Sequence, residues 1–231
     1  MPSTSAAGAR RALLTTLAAI ATTALVGCAM PSTAGSPASP APEGSGPLVA
    51  FYGDSYTLGT GASDPSKRWS SIIAGDRGWR EFNPSVNGLG YVRNRPFVGD
   101  GDLPSMIIEQ KPDIVFVTMG LNDNFAYERA GEEIRDAMIA DFDRLVAGLP
   151  DARFIVVEPF WYTDERPDSV EIIGGWQREQ AERIGAEYIS GASRWIEGQP
   201  DWMAIDGLHP NDEGYAAMAE RMDAELEKLG L

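Results

Sequence analysis

The sequence predicts a three-layer α/β domain, in which helices cover both faces of a central parallel sheet of about five strands. Three apolar runs rich in Val, Ile or Phe, without the alternation of a half-exposed strand, predict buried strands: residues 48–54 (LVAFYGD), 113–120 (DIVFVTMG) and 153–159 (RFIVVEP). Residues 80–86 and 186–190 are weaker candidates for two further strands. Helical patterns lie between these runs, and such alternation is typical of a parallel sheet.

Two stretches with apolar residues at helical spacing predict helices that pack on this sheet. In the first stretch the apolar positions are Ile134, Met138, Phe142 and Leu145. The last segment of the chain carries a similar stripe, made of Tyr215, Met218, Met222, Leu226 and Leu229. Asn211 precedes two acidic residues and is the expected N-cap of this last helix.

Residues 1–27 predict a secretory signal peptide. Arg10 and Arg11 precede a mostly apolar run, residues 12–27, which is too short for a comfortable membrane span. The run ends in LVGC, and Cys28 is the only cysteine of the chain. This ending resembles the bacterial lipobox, which implies export, a lipidated Cys28, and attachment to the membrane of the cell envelope through that lipid anchor only. The alternative is an ordinary signal peptide with an incidental thiol.

Residues 28–47 predict a flexible linker, because the segment after Cys28 contains five prolines and almost no large apolar side chain. Residues 48–231 remain as one domain with a full core. The first 47 residues carry two arginines and one glutamate, so this domain holds a charge of −16 within a total of −15. That charge argues against nucleic acid or an anionic membrane surface as a partner. We expect a monomer.

Polar motifs follow the predicted strands at the edge where ligands bind in parallel sheets. The first strand runs into the residues GDS (53–55), and a later strand runs into GLND (120–123). Near the end of the chain, DGLHP (206–210) contains His209, the only histidine. Each motif alone also has a plain structural explanation as a turn, a helix cap or a satisfied loop.

Together, four blocks resemble the SGNH hydrolases, also called GDSL esterases. The blocks are GDSYTLG (53–59), NPSVNGLG (83–90), GLND (120–123) and DGLHP (206–210), in the order of the family. The resemblance spans the whole predicted domain and implies a flavodoxin-like fold and serine-esterase chemistry. One departure is Tyr56, which stands where the family name has leucine.

The residue types at these positions suit the implied chemistry. Ser55 is the expected nucleophile, His209 the general base that accepts its proton, and Asp206 the acid that orients the imidazole. The resemblance implies an oxyanion hole made of the backbone N–H groups of Ser55 and Gly88 and the side-chain amide of Asn122.

Three neighbouring positions have other expected roles. The second block contains Gly90 as well as Gly88, and the sequence leaves open which of them supplies the oxyanion-hole N–H. Asp54 and Asp123 are expected to be structural hydrogen-bond acceptors around the site rather than acid or base groups. One histidine and one cysteine cannot build a zinc site of the usual kind, and no twelve-residue calcium loop is present, so we expect no metal and no cofactor.

No motif selects the substrate. Trp161, Trp202 and Tyr91 are candidate substrate contacts, although packing beneath long loops explains such aromatic residues equally well. Arg93 and Arg95 could hold an anionic substrate group or form ordinary ion pairs. We expect a short-chain or acetyl ester of a small molecule or carbohydrate. Two alternatives stay open: an envelope acyltransferase that uses the same residues, and a non-catalytic carbohydrate-binding surface lipoprotein.

Overall fold

A computed structural model describes residues 44–98 and 102–231 of the chain. It contains five strands: β1 (Leu48–Gly53), β2 (Arg80–Phe82), β3 (Ile114–Thr118), β4 (Arg153–Val157) and β5 (Glu187–Ile189). They form a sheet in the order β2-β1-β3-β4-β5, in which all neighbouring strands are parallel. The predicted five-strand parallel sheet is confirmed, and its strand order is that of flavodoxin-like folds.

The central strands are those that the sequence predicts most strongly. Strands β1 and β3 are buried along their whole length because helices cover both faces of the sheet. The edge strands β2 and β5 have only three residues each. Strand β2 ends at Phe82, earlier than predicted. Asn83 leaves the strand, since its Nδ2 donates to the carbonyl oxygen of Thr57 at 2.7 Å. Pro84 has no N–H group to donate to a neighbouring strand.

The described residues form six α-helices: α1 (Ser55–Leu58), α2 (Trp69–Asp76), α3 (Leu103–Gln110), α4 (Tyr127–Gly148), α5 (Asp168–Ile184) and α6 (Asp212–Lys228). Apolar residues of α2 and α6 pack with Val49 and Phe51 on one face of β1. Those of α3, α4 and most of α5 pack with Ala50 and Tyr52 on the other face. The four apolar positions predicted for α4 all have no exposed surface, as expected for a helix packed on the sheet.

The last helix begins where the sequence predicts. The side chain of Asn211 accepts a hydrogen bond from the backbone N–H of Gly214 at 3.0 Å and caps α6. Leu229, which the stripe assigns to this helix, lies just beyond its end and is only partly buried. The predicted signal peptide, Cys28 and most of the predicted linker lie outside the described residues. Within the described residues, no helix combines the length and the apolar character that a membrane crossing needs.

Candidate active site

The site lies where the strand order reverses, at the carboxyl ends of β1 and β3. The register pairs Gly53 with Thr118, so the two strands end at the same level. A Cβ atom at Gly53 would lie 2.5 Å from Thr118 Oγ1 and from Thr57 Cβ, so the turn out of β1 requires glycine. Ser55 follows as the first residue of α1.

The candidate nucleophile and the candidate base lie in contact, although 154 residues separate them in the sequence. Ser55 Oγ lies 2.9 Å from His209 Nε2, and His209 Nδ1 lies 2.7 Å from Asp206 Oδ2. The other carboxylate oxygen of Asp206 accepts the backbone N–H groups of Leu208 at 2.9 Å and His209 at 3.0 Å. The hydrogen bond from the His209 ring, together with these backbone bonds, lowers the pKa of Asp206 to about 2. Asp206 is therefore ionised at neutral pH and selects the tautomer with hydrogen on Nδ1.

The loop that carries His209 is held by the segment after the nucleophile. The hydroxyl of Tyr56 donates to the carbonyl oxygen of Leu208 at 2.6 Å. The hydroxyl of Tyr215, in the helix after His209, donates to the backbone carbonyl oxygen of Thr60 at 2.8 Å. Tyr56, the departure from the family name, therefore holds the loop that carries the candidate base. The sequence gives no signal for this role, because its partner is 152 residues away.

Hydrogen bonding distinguishes the two candidate glycines of the oxyanion hole. The N–H of Gly90 donates to the carbonyl oxygen of Arg93 at 2.8 Å and is therefore engaged. Gly88 has a φ of 70° and lines the cleft beside Ser55, and its N–H has no acceptor in the described part of the chain. The N–H of Ser55, first in its helix, likewise has no acceptor there. The geometry favours Gly88 over Gly90.

Asn122 lies at the cleft, but its amide already has partners. Its Nδ2 atom is 3.2 Å from Asp54 Oδ2 and 3.0 Å from the carbonyl oxygen of Leu89, so both of its N–H groups donate. Asn122 therefore needs a small rotation, or a shared hydrogen bond, to donate to an oxyanion.

Asp54 and Asp123 act as buried acceptors beneath the site. Asp54 caps α1 by accepting the N–H of Tyr56 at 3.0 Å. Asp123 accepts the backbone N–H groups of three consecutive residues, Tyr91, Val92 and Arg93. Burial raises the pKa of both carboxyl groups, that of Asp54 to about 7. Neither side chain lines the cleft.

The cleft beside Ser55 has a volume of about 230 Å³. Its apolar wall consists of Leu121, Leu208 and Phe125, and its polar wall of Thr60 and Asn87. Phe125 is 43% exposed, although it is a large apolar residue. Phe125 is not among the predicted substrate contacts, and its place three residues after Asn122 is the signal that could have found it.

The three predicted substrate contacts do not line this cleft. Tyr91 and Trp161 are only 1% and 4% exposed, because both rings pack in the core. Trp202 is partly buried, and Arg221 covers its ring at 5.2 Å. The assignment of these aromatic residues to substrate is therefore corrected to packing. Arg95 forms ion pairs with the acidic side chains of two neighbouring helices.

Comparison with known proteins identifies the family of the chain. The model of the GDSL-like lipase/acylhydrolase family matches residues 51–217. The chain belongs to this family. As a GDSL-family protein it is a carboxylic ester hydrolase, and the family match covers the candidate nucleophile, the oxyanion-hole positions and the candidate base.

Relatives of this GDSL-family chain include a GDSL lipase of Mycobacterium tuberculosis, 26% identical over 185 residues, which cover 75% of this chain and 79% of the relative. Among solved structures, TesA has a TM-score of 0.64 at 20% identity over 79% of this chain and 99% of its own. An acetylxylan esterase from Geobacillus stearothermophilus has a TM-score of 0.60 at 19% identity over 82% and 96%. A carbohydrate acetylesterase from Sinorhizobium meliloti has a TM-score of 0.58 at 16% identity over 79% and 99%. These structures share the fold.

Proposed function

We propose that the protein hydrolyses carboxylic esters with a short acyl group, acetyl esters in particular, through an acyl-Ser55 intermediate. The observation that carries this proposal is the pair of hydrogen bonds that joins Ser55 Oγ to His209 Nε2 at 2.9 Å and His209 Nδ1 to Asp206 Oδ2 at 2.7 Å. A serine hydroxyl needs such a base to attack a carbonyl carbon.

In the first half of the reaction, Ser55 Oγ bonds to the ester carbonyl carbon while its proton passes to His209 Nε2. Negative charge moves to the carbonyl oxygen, where the N–H groups of Ser55 and Gly88 can receive it, joined by Asn122 after its amide rotates. Collapse of this tetrahedral intermediate breaks the bond to the alcohol oxygen, which takes the proton from His209. Asp206 stabilises the imidazolium throughout.

In the second half, a water molecule replaces the alcohol. His209 takes a proton from this water as its oxygen attacks the acyl carbon, and the same oxyanion hole receives the charge. When the bond to Ser55 Oγ breaks, the proton returns to the serine and the carboxylic acid leaves.

The size of the cleft supports a short acyl group. A volume of about 230 Å³ is small beside the roughly 300–1,000 Å³ of pockets that enclose drug-sized ligands. The acetyl substrates of the acetylxylan esterase and the carbohydrate acetylesterase described above support the same choice.

The test uses the purified full-length protein with p-nitrophenyl acetate, butyrate and octanoate. We expect kcat/KM to fall as the acyl chain lengthens, and Ser55→Ala to abolish turnover. Ser66→Ala, at an exposed serine outside the cleft, is the matched control and should retain full activity. Equal turnover by wild type and Ser55→Ala, without labelling of the wild type by a fluorophosphonate, would favour the non-catalytic binding protein. Transfer of acetyl to an added sugar in preference to water would favour the acyltransferase.

We also propose that the protein is exported and anchored in the cell envelope through a lipid on Cys28. The basic residues, apolar run and LVGC ending of the first 28 residues support this location. The linker that follows, residues 29–47, would then separate the enzyme from the membrane surface.

A further inference from the structure

Arg93 lies against Phe125, one of the residues that line the cleft. Phe125 lies in the short turn that follows Asn122 and lines the cleft with Ser55 and His209. Phe125 is 43% exposed, and no other aromatic side chain whose burial the structure describes is exposed. The Cζ atom of Arg93 lies 5.9 Å from the centroid of this ring.

The backbone of Arg93 is fixed at this place. Its N–H donates to Asp123 Oδ1 at 3.3 Å, and its carbonyl oxygen accepts the N–H of Gly90 at 2.8 Å. Asp123 is itself fully buried, so the anchor beneath Arg93 is rigid. The side chain of Arg93 therefore extends from a fixed backbone position, and its guanidinium lies over the ring of Phe125.

The two arginines of this loop differ in their partners. Arg95 forms ion pairs with Asp141 at 2.6 Å and with Asp102 at 3.2 Å, and these pairs tie the loop to the core. The guanidinium of Arg93 forms no ion pair with any carboxylate in the described part of the chain. For a side chain beside the cleft of a domain with a charge of −16, this lack of a carboxylate partner among the described residues is distinctive.

A guanidinium that lies on a ring keeps its N–H groups free at its edge. Those groups match the two oxygens of a carboxylate, and the charge persists at every physiological pH. The cleft interior holds a short acyl group, so the exposed ring of Phe125 is left for the alcohol part of the ester. The net negative charge of the domain repels anions at long range, which makes a local cation the means of accepting one.

We propose that Arg93 and Phe125 form a subsite for a carboxylate on the alcohol part of the substrate, so that the substrate class is an acyl ester of an acidic alcohol such as an acylated sugar acid. This inference rests on the proposed esterase function of Ser55. In the bound ester, the guanidinium of Arg93 donates to the carboxylate and Phe125 packs against the ring or chain that carries it.

The test compares two acetate esters of equal shape, 4-acetoxybenzoate, which is anionic, and 4-acetoxybenzamide, which is neutral. We expect Arg93→Gln in the full-length protein to lower kcat/KM for the anionic ester about fivefold, the scale of one partly exposed ionic contact, and to leave the neutral ester within about twofold. Added salt should reduce the ratio of kcat/KM between wild type and Arg93→Gln on the anionic ester, because it screens the contact with Arg93, and should leave this ratio unchanged on the neutral ester. Arg135→Gln is the matched control, since Arg135 also lies over an aromatic ring, at 5.7 Å from Trp176, outside the cleft.

Equal losses on both esters, or no loss on either, would overturn the subsite. If neither ester is hydrolysed in a reaction that requires Ser55, the result counts against the proposed function. The subsite is then tested by ligand binding instead of turnover. Calorimetry of 4-hydroxybenzoate with Ser55→Ala and with the double variant Ser55→Ala/Arg93→Gln provides this second measurement. Binding that requires Arg93 supports the subsite, and binding that is absent or independent of Arg93 refutes it.

Discussion

Replacing Asp54 with Asn should remove a fall in stability that this buried carboxyl causes between pH 5 and pH 8. Asp54 is 1% exposed, and burial raises its pKa from 3.8 to about 7. Between these two values the folded protein keeps the proton that the unfolded chain has already lost. The folded state thus binds more protons, and its stability decreases as pH rises through this window, with no further change above it.

The size of this loss in the free energy of unfolding follows from the part of the pH window that lies above pH 5. From pH 5 to a pKa of about 7, each pH unit costs about 1.4 kcal/mol, so the free energy of unfolding of the wild type should lose roughly 3 kcal/mol through Asp54. Asn cannot ionise. Its single oxygen leaves either Tyr56 N–H or the Asn122 amide without an acceptor, but that cost is nearly the same at both pH values and cancels in the comparison.

Urea unfolding followed by tryptophan fluorescence at pH 5 and pH 8 measures the effect. We expect the stability of Asp54→Asn relative to wild type to be roughly 3 kcal/mol more favourable at pH 8 than at pH 5. Asp64→Asn is the matched control, because Asp64 also accepts a backbone N–H at the start of a helical turn but is exposed. If wild type and Asp54→Asn respond equally to pH, the pKa of Asp54 is not raised and the reasoning is wrong.

Four further substitutions address the site and the anchor. Asp206→Asn should leave folding intact, since this side chain is 45% exposed, but lower kcat by up to ~10⁴, and near-normal turnover would remove it from the triad. Gly88→Ala should cost about 1–2 kcal/mol of stability, because its φ is 70°, and should also slow hydrolysis. In Gly90→Ala the new Cβ would lie 2.4 Å from Asp123 Oδ1. We therefore expect the free energy of unfolding, measured with urea, to fall by about 1–3 kcal/mol. Unchanged stability would show that the carboxylate can move. Cys28→Ala should release the protein from the membrane fraction with its specific activity unchanged, and continued attachment would exclude the lipid anchor.

The sequence was sufficient for those parts of the fold that depend on local pattern. The central strands are recognisable because both of their faces are buried, and the N-cap at Asn211 because its chemistry involves only the next three residues. The edge strands are short and half covered, so their composition is less apolar and their limits are hard to predict.

The parts that could not be predicted depend on contacts between distant segments. An aromatic residue in a loop has the same sequence whether it points into the core, as Tyr91 and Trp161 do, or into the cleft, as Phe125 does. The preference for Gly88 over Gly90 depends on a hydrogen bond from Gly90 to the backbone of Arg93, which no motif records.

The distance of 154 residues between Ser55 and His209 has a consequence for the time at which activity appears. Ser55 is synthesised 154 residues before His209, so a nascent chain carries the candidate nucleophile before it carries the candidate base and the helix α6 that follows. A nascent or truncated chain that stops before His209 has a serine and no group to accept its proton. Ester hydrolysis can therefore begin only after the segment with His209 has been synthesised and has packed beside Ser55, so activity measures the completion of this long-range contact.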